Sequence, residues 1–205
     1  MVDTIVFKVV FVILSYLLGS VCFGYIFAKI LKKKDFGKKD LPGAAGSFRQ
    51  NGFKIGIATG FLDAAKGAIP PLLAKFLGLD TITVVIACLA VIIGHNWPIF
   101  YKFRGGGGLA TTIGISLVMI PIEFAIAFLS AIAVGFIYKY TLRKRLGFGP
   151  NAVGGAFGAL LLPILAFVFH ESLPIIILFA LIFIIIALKG IILTTIIYNK
   201  KESCT

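Results

Sequence analysis

Acidic residues are scarce: eight Asp and Glu stand against twenty Lys and Arg, leaving a net charge of +12. In a water-soluble chain that imbalance points to nucleic acid, so the placement of the bases has to decide between nucleic acid and a membrane. Cysteine is nearly missing as well. Cys22, Cys88 and Cys204 offer neither a disulfide framework nor metal-ligand spacing, and no metal or other cofactor is expected. Cys204 lies second from the end, which excludes a prenylation signal. The first apolar run lacks a basic leader and a small-x-small cleavage site, so it does not read as a signal peptide. "LGSVC" places Val21 where a lipoprotein cysteine needs a small residue. Solenoid repeats and low-complexity tails are absent too.

What the chain has is apolar residues, at 60% of the sequence, with a mean hydropathy of +1.07. A soluble domain of this size cannot hide that much apolar surface, whereas a bilayer accepts it. Runs long enough for a hydrocarbon core of about 30 Å recur throughout. They predict an all-α protein with seven spans at roughly 4–31, 54–77, 81–101, 109–121, 122–140, 152–169 and 174–198. The second is unusual for carrying Asp63, Lys66 and Pro70-Pro71, and the fourth for its shortness. Fifteen of the twenty basic residues fall on one side of this scheme, between alternate spans and at the C-terminus. The other side holds Asp3, Asp80, Glu123 and Glu171, with Lys75 its clearest base. Basic loops face the cytoplasm, which predicts an outer N-terminus and a cytoplasmic C-terminus. One domain, 1–205, is expected, with cytoplasmic loops 32–53, 102–108 and 141–151; its partner is the lipid bilayer, not nucleic acid.

Three polar features converge on the cytoplasmic side. "FRGGGGLATTIG", 103–114, sets Arg104 and Gly105–Gly108 before an apolar run, although each glycine weakens a helix by about 1 kcal/mol. Such a run lets backbone approach a neighbour closely. Opening into a helix, it exposes N–H groups as an anion nest, with the Arg104 fork and the Thr111 and Thr112 hydroxyls beside it. The alternative is a re-entrant turn packed on another helix. Upstream, "GHNWPIFYKF" puts His95 and Asn96 near the end of the third span. His95 is either a hydrogen-bonded structural residue or a base or phosphate donor. Asp63 and Lys66, three apart on one helix face, form either a neutralised packing pair or an orienting pair for the loop before them.

The motifs resemble those of the bacterial acyl-phosphate:glycerol-3-phosphate acyltransferases over nearly the whole chain. "LLGSVCFGYIFAK" (17–29), including Ser20, is similar to the family's first span, and "FLDAAKG" (61–67) to its Leu-Asp-x-x-Lys-Gly. "GHNWPIFYKFRGGGGLATTIG" (94–114) resembles its Gly-His, Pro-x-Phe and Phe-Lys-Gly-Gly-Lys-Gly signature. The resemblance implies seven spans in a bacterial inner membrane. It also implies acyl transfer from acyl phosphate to glycerol-3-phosphate, giving lysophosphatidate without metal or cofactor.

With the resemblance, the expected catalytic residues are His95 and Arg49, with Lys39 (or Lys38) restoring charge from the opposite loop. Arg104, Gly105, Gly106, Gly107, Gly108, Thr111 and Asn96 are expected to bind phosphate, with Ser20, Asp63 and Lys66 supporting them. Several family positions differ. Lys39 stands for a serine, Leu41 and Gly46 for asparagines, and Gly107 for the second lysine of the glycine loop. The C-terminal Arg/His-rich stretch is replaced by Lys189, Lys200 and Lys201. Each lost charge-assisted bond is worth about 1.5–3 kcal/mol. An active enzyme and a degenerate paralogue that binds lipid or a partner therefore both remain open, with a transporter gated by Asp63–Lys66 as a third reading.

Overall fold

The computed structural model describes residues 4–31, 41–146 and 149–202. These residues are helical, with no strand among them. In order they form α1 (Ile5–Ser20), α2 (Phe23–Ile30), α3 (Ala44–Asn51), α4 (Phe53–Phe76) and α5 (Thr81–Asn96). A 3-10 turn (Ile99–Tyr101) follows, then α6 (Leu109–Met119), α7 (Pro121–Thr141), α8 (Arg143–Leu146), α9 (Pro150–Val168) and α10 (Leu173–Glu202).

Among the described residues, four stretches are long and apolar enough to cross a membrane: Thr81–Tyr101, Pro121–Thr141, Pro150–Val168 and Leu173–Ile191. The bent pair α1 and α2 makes a fifth when taken as one broken span. The remaining two expected spans are not decided by composition. α4 has 24 residues, about 36 Å of helix, but carries charge in its middle. α6 has 11 residues, about 16 Å.

Small residues let the helices touch backbone to backbone, the packing mode that works where lipid removes the hydrophobic drive. Gly19 of α1 lies against the Val91 carbonyl, and Gly94 of α5 against that of Tyr16. Gly67 of α4 meets the Thr111 carbonyl, and Gly114 of α6 that of Ala64. Between these pairs and α9–α10 sits the core, built on Ile92, Ile115, Leu178, Phe179 and Ile182, each no more than 1% exposed. Asp80 caps α5 by accepting from Thr83 N at 3.0 Å, and pairs with Lys8 of α1 at 2.8 Å.

Three local expectations change. The span 4–31 is not continuous: Val21 and Cys22 are extended, and the chain bends by 40°. The cause lies elsewhere in the chain. Lys66 donates to the carbonyls of Gly19 (3.1 Å) and Val21 (2.7 Å), satisfying acceptors that a straight helix would have used itself. The loop 32–53 contains α3, which turns sharply into α4 at Gly52, where φ is +89°. The loop 141–151 contains α8 and the first residues of α9.

Candidate functional site

The last carbonyls of α5 anchor three separate parts of the molecule. A helix leaves these groups without partners of its own. Here His95 O accepts from Gly106 N at 3.0 Å, Asn96 O from Lys189 Nζ at 2.8 Å, and Trp97 O from the Tyr16 hydroxyl at 3.0 Å. Lys102 and Phe103 then turn the chain with left-handed φ of 52° and 58°. That reversal returns the glycine run to the end of the helix it left.

The four glycines are not equivalent. A β-carbon on Gly105 would overlap the His95 carbonyl and Pro98. One on Gly106 would overlap the His95 imidazole at Nε2. Gly108 has φ of +88° and lies 3.0–3.3 Å, at its β-position, from the Asn96 amide. Gly107 alone has room, its β-position being 3.8 Å from the nearest neighbour, Leu41 Cδ1. Across the gap, the β-position of Gly43 is 3.5 Å from Gly106 Cα and 3.8 Å from Gly107 N. Gly43 opens α3 and Gly108 opens α6, so two helix N-termini begin in one small region. Their unpaired N–H groups and partial positive charge suit an anion.

Both amide atoms of Asn96, against Gly108, are buried without a hydrogen-bond partner among the described residues. Thr111 Oγ1, in the first turn of α6, and Ser47 Oγ, on α3, are likewise unpartnered, and all three residues are 0% exposed. Thr112 spends its hydroxyl on the Gly108 carbonyl at 3.0 Å.

Beneath the loop lie Asp63, Lys66 and His95, which are 1%, 1% and 3% exposed. Asp63 Oδ1 is 2.9 Å from Lys66 Nζ and 3.6 Å from His95 Nδ1. The imidazole therefore turns one nitrogen to the carboxylate and the other to Gly106. Lys66 also caps the α1 break and lies 5.7 Å from the Phe23 ring centroid. The Asp63–Lys66 pair thus ties α4 to α1 and α2 while its carboxylate faces the ring that supports the loop.

The other expected residues are placed differently. Arg104 is exposed on the loop, and Arg49 is exposed on α3. Ser20 donates to the Tyr16 carbonyl at 3.0 Å, within its own helix. Lys38 and Lys39 lie outside the described residues. Tyr16 carries no signal in the sequence, and Lys189 stands there only in place of a lost basic stretch. Its signal is a lysine within the apolar stretch Leu173–Ile191, because such a charge has to find a buried acceptor.

Beside the loop runs an apolar groove of about 470 Å³ between α6, α7 and α9. Leu109 and Thr112, in the first turns of α6, join it to the glycine loop. Lys139 and Asn151 lie where α7 ends and α9 begins, and Phe124, Phe128 and Leu162 line the stretch farther from the loop.

Fold and site together define an all-helical integral membrane protein with a glycine-lined polar site at one end of its bundle and an apolar groove alongside. Comparison with known proteins narrows the class. The family model described as glycerol-3-phosphate acyltransferase matches residues 9–199. A glycerol-3-phosphate acyltransferase of Pelagibacter ubique is 39% identical over 175 residues, covering 82% of this chain and 84% of that one. Glycerol-3-phosphate acyltransferase 4 of Dehalococcoides mccartyi is 37% identical over 138 residues, 66% of this chain but 59% of the relative's length. The crystal structure of PlsY (YgiH), an integral membrane glycerol 3-phosphate acyltransferase, in its glycerol 3-phosphate form superposes with a TM-score of 0.81. The identity is 27%, over 94% of this chain and 92% of that one. The chain belongs to the glycerol-3-phosphate acyltransferase family, as its motifs implied.

Proposed function

We propose that the protein transfers a fatty acyl group from acyl phosphate to glycerol-3-phosphate, releasing inorganic phosphate and lysophosphatidate. The observation that carries this reading is the junction at Leu109 and Thr112, where the glycine loop meets the apolar groove. A donor with a phosphate head and an alkyl tail fits that junction, head on the loop and tail between α6, α7 and α9. PlsY has been solved in glycerol 3-phosphate and lysophosphatidic acid forms, which supports the acceptor and the product.

In this reading the N–H groups at 107–109 hold phosphate, with the Asn96 amide and Thr111 hydroxyl beneath and the charges of Arg104 and Arg49 at the rim. The acceptor hydroxyl oxygen attacks the acyl carbon, the bond from that carbon to the phosphate oxygen breaks, and the departing phosphate carries away the hydroxyl proton as hydrogen phosphate. The donor is already activated, so catalysis is mainly positioning and charge stabilisation. His95 reaches a substrate proton only if Gly106 lifts from the ring; as folded, it positions the loop. The reading takes seven spans, counting α1–α2 as one with α4, α5, α6, α7, α9 and α10, and a site on the cytoplasmic side of a bacterial inner membrane. The segregation of basic residues supports that orientation.

A second reading, a paralogue that binds without turnover, is favoured by Gly107, Leu41 and Gly46 at family positions for side-chain donors. One assay separates the two. Purified protein in liposomes is given palmitoyl phosphate and labelled glycerol-3-phosphate. Equal amounts of lysophosphatidate and phosphate, reduced by Arg104→Ala, support the enzyme. Saturable phosphate binding without product supports the paralogue.

A further inference from the structure

We infer that Lys189 is a positioning residue that fixes the glycine loop from behind, through the end of α5, and thereby sets affinity for the phosphorylated substrate. The inference rests on the proposed reaction for its kinetic consequence, and on geometry alone for the coupling. Lys189 is 7% exposed and is the one charged residue in the apolar stretch Leu173–Ile191 of α10. A charge there has to be matched by buried acceptors. Its ammonium donates to Asn96 O at 2.8 Å and lies 5.0 Å from the Trp97 ring centroid. A cation over an indole face is a favourable pairing, and a cation at a helix C-terminus complements the helix dipole.

The same face of α10 reaches the other end of the loop. Ile186, one turn earlier, has Cγ1 3.5 Å from the β-position of Gly108. Asn96, whose carbonyl Lys189 holds, turns its amide to that same glycine at 3.0–3.3 Å. One residue earlier, the His95 carbonyl takes the Gly106 N–H at 3.0 Å. α10 thus braces the loop at Gly108 and pins the helix end to which Gly106 is bonded. Lys189 touches none of the loop N–H groups itself, so its effect on substrate passes through α5.

Trp97 is the single tryptophan in the chain and reports directly on this contact. Emission from purified full-length protein would be read unliganded and during titration with glycerol-3-phosphate or inorganic phosphate. Steady-state kinetics would run in parallel, for wild type, Lys189→Gln and Lys189→Arg. Lys189→Gln should shift the unliganded emission and raise Kd and KM about tenfold, the size of one charge-assisted bond. Lost positioning of a bound phosphate weakens binding more than chemistry, so kcat should stay within about twofold. Lys189→Arg, which keeps charge and donor, should restore most of both. Wild-type emission and KM in Lys189→Gln would overturn the inference, as would a loss that arginine does not rescue. Should Lys189→Gln fail to fold, the wild-type titration decides: a saturable Trp97 response is expected, and a silent Trp97 overturns the coupling. A wild type whose Trp97 responds to phosphate without any turnover would refute the proposed reaction while supporting the coupling.

Discussion

Replacing Gly106 by alanine, and separately Gly107 by alanine, adds the same methyl group to adjacent residues of one loop. The structure assigns the two changes very different costs. At Gly106 the methyl would overlap Nε2 of His95 and reach 2.6 Å from its Cε1. That ring cannot easily yield, because it is 3% exposed and its other nitrogen faces Asp63. Overpacking of this kind costs about 1–3 kcal/mol. If the loop rises to relieve it, that energy is withdrawn from phosphate binding, and at tenfold per 1.4 kcal/mol kcat/KM falls roughly 5- to 150-fold. At Gly107 the nearest atom is 3.8 Å away and φ is not left-handed, so alanine should stay within about 0.5 kcal/mol, or twofold. The assay is phosphate release by purified protein, with helix content from circular dichroism confirming that both variants fold. Equal losses, or a larger loss at Gly107, would refute the argument that the imidazole is the floor of the loop.

Four further outcomes follow from the same geometry. Gly107→Lys fits the open side of the loop and should lower KM for phosphorylated substrate about tenfold, one charge-assisted bond; an unchanged KM in steady-state kinetics would count against it. Lys66→Met leaves the buried Asp63 carboxylate with only the His95 imidazole beside it, and should destabilise by about 3–5 kcal/mol in thermal unfolding, more than the double variant Asp63→Asn/Lys66→Met. Phe128→Trp fills the groove far from the loop, so kcat/KM should fall for long-chain acyl phosphates and hold for short ones. Hydrogen bonds from Lys8 and Thr83 hold the Asp80 carboxyl well below the usual carboxylate range. Its contribution to stability is therefore complete above about pH 4, where an unfolded aspartate has ionised, and is lost as pH falls towards its folded value. Asp80→Asn should flatten that acid limb of the Tm profile.

Much of this was legible before the structure because it depends on composition and spacing. A chain with this hydropathy has few homes other than a bilayer. Asp63 and Lys66 at three-residue spacing paired as helix geometry requires. What could not be read depends on contacts between distant residues. Val21–Cys22 contains no helix breaker, and its bend is completed by Lys66, 45 residues away from Val21. The glycines at 105–108 are one letter in the sequence, yet the imidazole, a helix-end carbonyl and a left-handed turn restrict three of them and leave Gly107 open. In the sequence Lys189 stands with Lys200 and Lys201 where a basic stretch would be, but it caps α5 from within the bundle. α4 and α6 escape a hydropathy criterion because one carries the buried ion pair and the other is short.

A crystal structure of the wild-type protein with a non-hydrolysable acyl phosphate analogue bears most directly on the account. The phosphorus group should sit within about 3.2 Å of main-chain nitrogens at 107–109, with the alkyl chain lying between α6, α7 and α9. Phosphate bound away from the glycine loop, or an alkyl chain lodged outside that groove, would contradict it.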